Sequence, residues 1–191
     1  MQAQALHLQL ERASRNVLRL ADLITALLDV SRIAQGRLTL TRKRGVLAAQ
    51  TAEVIDRLEE PAQEAGCMVV PDLGGPIEGT WDPLRIGQVI SNLLSNAFKY
   101  AAGSRVDVRL VRDGDVVVLK IEDHGPGIPE AALERIFGRF ERAAPRNFGG
   151  MGLGLYVARE IIAAHGGTIR ARNRDGGGVT FEVRLPTEVP T

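Results

Sequence analysis

One predicted helix concentrates its amide and basic side chains on a single stripe. At about 100° per residue, the segment from Pro83 to Tyr100 places polar residues on one side and apolar residues on the other. The stripe consists of Arg85, Gln88, Asn92, Asn96 and Lys99. Amide oxygens are suitable Mg²⁺ ligands, and a lysine one turn further on can meet the phosphates of a metal-bound nucleotide. A solvated surface explains such a stripe equally well, although neighbouring asparagines cost helix stability.

A strand that ends in an acid and two glycines forms the second pattern, Asp123-His124-Gly125-Pro126-Gly127. Glycines let a ligand approach the backbone closely. A carboxylate at a strand end can accept a hydrogen bond from an exocyclic amine, which favours adenine over guanine. Taken alone the pattern is weak evidence for a ligand, because a tight turn after a strand is the commoner explanation.

The third pattern is glycine-rich and runs from Gly149 to Leu155 into a helix. The N–H groups and positive dipole at a helix N-terminus suit phosphates. The segment from Arg142 to Phe148 could close over a ligand. Because the sequence lacks the GxxxxGK[ST] motif, this is not a P-loop.

Helices and strands must bring the residues of these three patterns together. Apolar residues at alternating steps of three and four from Leu10 predict a long amphipathic helix that ends at Gly36 and has more than one neighbour. A helix-like stretch from Val46 to Glu64 follows, which Pro61 should kink or shorten. Strands are expected at residues 68–70, before Trp81, on both sides of Asp113-Gly114 and in a final hairpin around residues 175–178. Further helices are expected at residues 129–136 and 152–164. The fold class is therefore α+β, with helices on one face of a mostly antiparallel sheet.

Composition excludes several classes of protein. The 191 residues include 24 Lys and Arg against 23 Asp and Glu, a net charge of +1, so nucleic-acid binding is not expected. A single cysteine, Cys67, and scattered histidines argue against disulfide and zinc sites. No run of about eighteen apolar residues and no signal peptide is evident, so we expect a cytoplasmic chain without direct membrane insertion. Whether a parent protein is membrane-anchored stays open.

Together, four motifs resemble the N, G1, F and G2 boxes of sensor histidine kinases in order and spacing. They are Asn92-Leu-Leu-Ser-Asn96-Ala-Phe-Lys99-Tyr100, Asp123-His-Gly125-Pro-Gly127-Ile128, Phe137-Gly-Arg-Phe140 and Gly150-Met-Gly152-Leu-Gly154-Leu155. The resemblance implies a two-layer α/β sandwich of the Bergerat type, shared with gyrase and Hsp90. It also implies ATP and Mg²⁺ as ligands.

The resemblance assigns roles residue by residue. Asn96, helped by Asn92, would hold Mg²⁺, and Lys99 would meet phosphate. Tyr100 would pack near the nucleotide, and Asp123 would take the adenine amine. The remaining positions would shape the base pocket (Gly125, Gly127), the phosphate loop (Gly152, Leu153, Gly154, Leu155), the lid (Arg142) and the adenine side (Thr180). Catalysis would rest on Asn96 and Lys99 through positioning and charge neutralisation.

Residues 1–35 look like part of the dimerisation and phosphotransfer domain of the family, and residues 36–191 like its ATP-binding domain. The phospho-accepting motif is missing, because His7 is followed by Leu8-Gln9-Leu10 rather than by an acid, Arg, Thr and Pro. We therefore expect γ-phosphoryl transfer to a histidine outside these residues, on a dimerisation helix, and no autophosphorylation of this fragment. A response regulator receiver domain and a homodimer are the other implied partners.

Two departures leave alternatives open. Met151 replaces a small polar residue, and the arm from Arg142 to Gly149 is short, so the alternative is a nucleotide-binding regulatory or scaffold module with weak or no kinase activity. Related ATPases and serine kinases usually carry a glutamate four residues before the metal-binding asparagine. Here that position is Asn92, which favours the histidine kinase interpretation.

Overall fold

The computed structural model describes residues 17, 20, 21, 23–141 and 151–188. They divide into two compact units, one up to Leu38 and the other from Thr39 onwards. No helix within these described ranges is long and apolar enough to cross a membrane.

The first unit contains helix α1, continuous over residues 23–34. Gly36 ends it as predicted, with φ +65°. The N–H of Arg37 donates to the carbonyl of Arg32 (2.8 Å) and that of Gly36 to Ile33 (2.9 Å), the bond pair of a Schellman motif. Several large apolar side chains of this helix are exposed: Val17, Leu20, Ile24, Leu27 and Leu28. The predicted helix start lies outside the described residues.

The second unit contains both strands and helices, several of them in consecutive pairs. Its strands are β1 (Lys43–Val46), β2 (Met68–Asp72), β3 (Glu78–Trp81), β4 (Arg105–Asp113), β5 (Val116–Asp123), β6 (Thr168–Asn173) and β7 (Val179–Pro186). Its helices are α2 (Leu47–Arg57), α3 (Glu59–Glu64), α4 (Pro83–Tyr100) and α5 (Gly154–Ala164). The expected helix at 129–136 is instead two 3-10 turns, Glu130–Ala132 and Arg135–Phe137.

Five strands form the main sheet in the order β2-β4-β5-β7-β6, and β1 pairs with β3 in a separate ribbon. Only the β2–β4 pairing within the main sheet is parallel, which confirms the mostly antiparallel prediction. Alternation along the strands puts one set of side chains in the core and the other set outside. The inward residues include Val106, Val108, Leu110, Leu119, Ile121, Phe181 and Val183, all buried.

Helix α4 begins as its sequence predicts. The Asp82 carboxylate caps it by accepting the N–H of Arg85 at 3.0 Å, and Pro83 occupies the first helical position. Its apolar residues are buried, including Ile86, Ile90, Leu93, Leu94 and Ala97.

Pro61 shortens the preceding helix rather than kinking it. Helix α2 ends at Arg57, four residues before the proline. A continuous helix would need a hydrogen bond from position 61 to the Arg57 carbonyl, which proline cannot donate and its ring would obstruct. Pro61 instead lies in the first turn of α3, where the missing N–H costs little.

Candidate functional site

The Asp123 carboxylate lies at the end of β5 and is only 6% exposed. Its Oδ1 atom accepts the backbone N–H of Gly125 at 3.0 Å and that of Val179, on the neighbouring strand, at 3.3 Å. Burial raises the pKa of this carboxyl above its ordinary value, against the lowering effect of these two hydrogen bonds. Since both bonds use Oδ1, Oδ2 is the atom suited to receive a ligand donor.

The loop after Asp123 passes directly against the end of α4. A Cβ at Gly125 would lie 2.9 Å from the Ala101 Cβ and 3.1 Å from the Tyr100 carbonyl oxygen. Gly127 has φ +82°, a conformation that L side chains rarely adopt. Glycine is therefore required at both predicted positions, and the loop forms one wall together with the α4 C-terminus.

The polar stripe of α4 connects this loop to helix α5. The side-chain Nδ2 of Asn92 donates to the carbonyl oxygen of Gly154 at 3.0 Å. At the other end, Lys99 Nζ donates to the Tyr100 hydroxyl at 2.9 Å and lies 4.5 Å from the centre of its ring. Asn96, half-buried, lies one helical turn beyond Asn92. The four residues predicted on this helix thus lie along one side of the site.

Helix α5 presents its N-terminus at Asn92, near the middle of the stripe. Its first helical hydrogen bond runs from the Val157 N–H to the Leu153 carbonyl at 2.9 Å. The N–H groups of Gly154, Leu155 and Tyr156 therefore precede the helical ladder and are oriented to receive an anion. Leu153 itself is buried and anchors the turn.

Gly152 allows the chain to enter α5 under the preceding segment. Its φ is +70°, and a Cβ there would lie 2.5 Å from the Glu141 carbonyl oxygen. That segment is fixed on the protein by the Arg139 guanidinium, 4.9 Å from the centre of the Tyr156 ring, and by an edge-to-face contact between Phe137 and Phe181. Arg142 and the predicted lid lie outside the described residues.

Thr180 is not brought to the adenine side, contrary to the prediction. Its hydroxyl donates to Glu122 Oε1 at 2.9 Å, and the two residues face each other across β7 and β5. Side chains alternate along a strand, so Glu122 and Thr180 lie on the face of the sheet opposite to Asp123. The residue beside the Asp123 carboxylate is Val179, through its backbone N–H.

Sequence reasoning missed the residues that fix the Asp123 loop from a distance. Asn173 accepts the Ile128 N–H at 2.8 Å and donates to the Ile128 carbonyl at 2.7 Å. Arg174 donates to the Asp123 carbonyl at 3.0 Å. Both lie about fifty residues further along the chain and are brought close by the β5–β7–β6 pairing. No local pattern reveals such contacts.

Acidic and imidazole ligands do not assemble a metal site here. Among the described residues, no three His, Cys, Asp or Glu side chains are grouped to hold a metal ion. Among the described residues, the side-chain carbonyls of Asn92 and Asn96 offer oxygen donors on the stripe of α4. Since Asn92 uses its nitrogen on Gly154, its Oδ1 is the atom left for a cation. Such a cation would need further oxygens from its ligand and from water.

The two ends of the site match the two ends of a nucleotide. The Asp123 loop contacts α4 at Tyr100 and Ala101, and α5 contacts it at Asn92. Along a helix, the separation from residue 92 to residue 100 is about 12 Å. That spacing suits a base and its phosphate chain, with a buried carboxylate at one end and helix N–H groups at the other.

Comparisons with known proteins show which family the chain is similar to. The family model described as histidine kinase-, DNA gyrase B-, and HSP90-like ATPase matches residues 81–189. The signal transduction histidine-protein kinase AfsQ2 of Streptomyces coelicolor is 36% identical over 173 residues, which cover 89% of this chain and 31% of that protein. The sensor protein ChvG of Agrobacterium fabrum is 34% identical over 98% of this chain and 29% of its own length. The chain thus spans less than a third of either relative.

Solved structures show the same similarity. The catalytic domain of histidine kinase ThkA superposes with a TM-score of 0.71 at 28% identity, over 78% of this chain and 97% of that one. The Acinetobacter baumannii histidine kinase AdeS gives a TM-score of 0.76 at 27% identity, over 90% of this chain and 80% of that one.

Proposed function

Because the chain belongs to the family of histidine kinase-, DNA gyrase B- and HSP90-like ATPases, as a sensor histidine kinase ATP-binding catalytic domain, we propose that it binds Mg-ATP and donates the γ-phosphoryl group to a histidine. The observation that carries this proposal is a pair of contacts made by α4, one at its C-terminal end and one near its middle. The Asp123 loop packs at Tyr100, and the α5 N-terminus is bonded to Asn92.

Adenine recognition rests on Asp123. Its Oδ2 would accept the adenine amino group, while Gly125 and Val179 hold Oδ1 in place. Guanine presents a carbonyl oxygen at the corresponding position, and two acceptors facing each other in a buried site are unfavourable. The pocket should therefore prefer ATP to GTP.

The phosphate end combines several modest interactions. The N–H groups at the start of α5 would bind the phosphate oxygens, the Lys99 ammonium would meet phosphate from the Tyr100 end of the stripe, and Arg142 would contribute from the lid. The amide oxygens of Asn96 and Asn92 would hold Mg²⁺, which neutralises charge on the triphosphate when bound. The Asn92–Gly154 bond supports this assignment, because it holds the metal-binding and phosphate-binding elements together.

Transfer requires an imidazole supplied from outside the catalytic domain. An imidazole nitrogen forms a bond to the γ-phosphorus as the bond to the β,γ-bridging oxygen breaks, and ADP leaves with that electron pair. The other ring nitrogen then loses its proton to solvent. Within this chain the contribution is orientation and charge neutralisation, with Asn96 and Lys99 as the catalytic residues.

The first unit is proposed to supply part of the partner surface. We assign residues 1–35 to the dimerisation and phosphotransfer domain and residues 36–191 to the ATP-binding domain. The exposed apolar residues of α1 support a partner helix that bears the histidine, within a homodimer of the parent kinase. A response regulator receiver domain would accept the phosphoryl group from that histidine.

Rapid ATP hydrolysis is not expected of this site. A hydrolytic site needs a general base near the metal, and position 92 carries an amide whose nitrogen is bonded to Gly154. Water near the γ-phosphate therefore lacks a carboxylate at that position to activate it.

Calorimetry with a non-hydrolysable ATP analogue and its GTP counterpart, each with Mg²⁺, tests the assignment. We expect binding of the ATP analogue and at least tenfold weaker binding of the GTP analogue; equal affinities would overturn the pocket assignment. Incubation of this chain alone with γ-labelled ATP and Mg²⁺ should leave it unlabelled. Acid-labile label on His7, which lies outside the described residues, would contradict the role of an external histidine.

A further inference from the structure

His165 is a buried histidine, 4% exposed, at the C-terminal end of α5, the end opposite to Gly154. Its Nδ1 lies 2.8 Å from the Ile161 carbonyl oxygen, and its Nε2 lies 3.0 Å from the backbone nitrogen of Asp82. A carbonyl can only accept and a backbone N–H can only donate. The ring is therefore neutral, with its proton on Nδ1 and its lone pair on Nε2 facing Asp82.

These two contacts join two helices. Ile161 lies in the last turns of α5, and Asp82 is the residue that caps the N-terminus of α4. A further polar bond between the same helices runs from Asn92 to Gly154, the first residue of α5. Helices α4 and α5 therefore run antiparallel and are hydrogen-bonded near both ends of α5. The two bonds are about 15 Å apart along the helix axis.

The His165 end is anchored from several directions. The Asp82 carboxylate accepts the N–H of Arg85 at 3.0 Å through Oδ1 and the N–H of Thr41 at 2.7 Å through Oδ2. Arg42 adds a bond from its guanidinium to the Ala164 carbonyl at 2.9 Å, beside His165. Asp82 is thus a fixed reference point, and His165 connects α5 to it.

We infer that His165 is a positioning residue that fixes α5 lengthwise against α4, so that the N–H groups of Gly154 and Leu155 lie where the phosphates bind. The inference rests on the proposed function, because it concerns the phosphate end of that ATP site. A helix is stiff along its axis, so a shift at the Ile161 end moves the Gly154 end by the same amount. Hydrogen bonds from helix N–H groups to a phosphate weaken steeply with such displacement.

This role differs from general structural support in what it affects. Adenine recognition depends on Asp123, Gly125 and Val179, which lie on β5, its following loop and β7. The phosphates depend on the start of α5. Loss of the His165–Asp82 bond should therefore weaken ligands that carry phosphates and leave adenosine almost unaffected.

Two substitutions test the two hydrogen bonds of the His165 imidazole separately. In His165→Asn the amide nitrogen can replace Nδ1 and keep the bond to Ile161, but the side chain is too short to reach Asp82. In His165→Gln the amide oxygen can reach the Asp82 N–H in place of Nε2. Thr51→Val is the matched control, because Thr51 is fully buried, donates to the Leu47 carbonyl at 2.8 Å and belongs to α2 rather than α5.

Amide NMR titrations of the whole chain with adenosine, and with ADP plus Mg²⁺, test the inference. We expect His165→Asn to bind ADP about tenfold more weakly and adenosine within about twofold of the original chain, with His165→Gln restoring most of the ADP affinity. Thr51→Val should leave the ratio of the two affinities unchanged. Equal loss for both ligands in His165→Asn, no loss of ADP affinity, or a changed ratio in Thr51→Val would overturn the inference.

The outcome also separates this inference from the proposed function. If the original chain binds neither ligand, the ATP site itself is wrong. If the original chain binds both ligands but the His165 variants do not show the expected affinities for ADP and adenosine, only the positioning role is wrong. If His165→Asn does not fold, the same titration of His165→Gln decides, since a shifted ADP-to-adenosine ratio despite the retained Asp82 contact would contradict the role of that contact.

Discussion

The side-chain amide of Asn92 donates to the carbonyl of Gly154 across 3.0 Å, so the polar stripe of α4 is bonded directly to the first residue of α5. This bond orients the amide, since its nitrogen faces the carbonyl and its oxygen must point elsewhere. In the proposed site the Asn92 amide would therefore act twice, as a donor between the helices and through an oxygen that faces the metal. Asn96, one turn further on, would act only through its oxygen.

Alanine at each asparagine should separate these functions. Asn96→Ala is expected to remove the Mg²⁺-dependent part of ADP affinity, about 1–3 kcal/mol, and to leave the affinity measured with EDTA unchanged. Asn92→Ala should weaken binding under both conditions, because α5 also loses its bond to α4. Calorimetry with and without Mg²⁺ measures both variants, and identical profiles for the two would refute the division of roles.

Asp123→Asn is expected to weaken binding of ATP analogues by about 1–3 kcal/mol. The variant amide can still accept the Gly125 and Val179 N–H groups through its oxygen, but then presents a donor to the adenine amine. The same change should narrow the preference for ATP over GTP, because an amide donor suits the guanine carbonyl. Calorimetry with both nucleotides checks this, and an unaltered ATP-to-GTP ratio would show that Asp123 does not read the base.

The same substitution should stabilise the protein when no nucleotide is bound. Burial raises the Asp123 pKa, so the folded state holds its proton to a higher pH than the unfolded state does. Stability from this group is then present at low pH and is lost as pH rises through the folded pKa. Asp123→Asn removes that loss at neutral pH, and urea unfolding of the two proteins at pH 7 should show a higher midpoint for the variant. The difference should shrink as the pH is lowered toward 4.

Gly152→Ala should weaken phosphate binding, an effect that the backbone strain of the substitution does not explain by itself. The added Cβ would meet the Glu141 carbonyl oxygen at 2.5 Å, so the segment before α5 must move. Gly176→Ala is the matched control, because Gly176 also has positive φ, +86°, but nothing lies within 4 Å of its Cβ position. Each change should cost about 1–2 kcal/mol from strain, and only Gly152→Ala should also lose ADP affinity. Thermal melts and calorimetry on both variants provide the comparison.

Features that depend on local chemistry were predictable from the sequence. The start of α4 follows from Asp82 and Pro83, and its polar stripe follows from the 3.6-residue period. The turn after Asp123 follows from two glycines, of which Gly127 has positive φ. In each case the controlling residues lie within a few positions of one another.

Features that depend on strand pairing were not predictable in the same way. The parallel β2–β4 pair and the contacts of Asn173 and Arg174 join segments that are far apart in the sequence. The orientation of Thr180 could have been predicted from the sequence, because Phe181 and Val183 show the two-residue alternation of β7. Extending that alternation backwards places Val179, not Thr180, on the face of Phe181 and Asp123.

The pH dependence of stability should carry a contribution from His165. Burial lowers the pKa of this imidazole below its ordinary 6.5, helped by the Arg42 charge and opposed by the Ile161 hydrogen bond and Asp82. The folded state therefore resists protonation where the unfolded state accepts it. Stability from this group is complete above about pH 6.5 and falls as pH decreases through the window down to the folded pKa, by up to about 1.4 kcal/mol per pH unit. Glutamine at position 165 cannot titrate. The difference in unfolding free energy between the original protein and His165→Gln therefore isolates the contribution of His165 from those of the other histidines. Urea titration from pH 7.5 to 5 measures this difference. A difference that stays constant across that range would show that His165 is protonated as readily in the folded protein as in the unfolded chain.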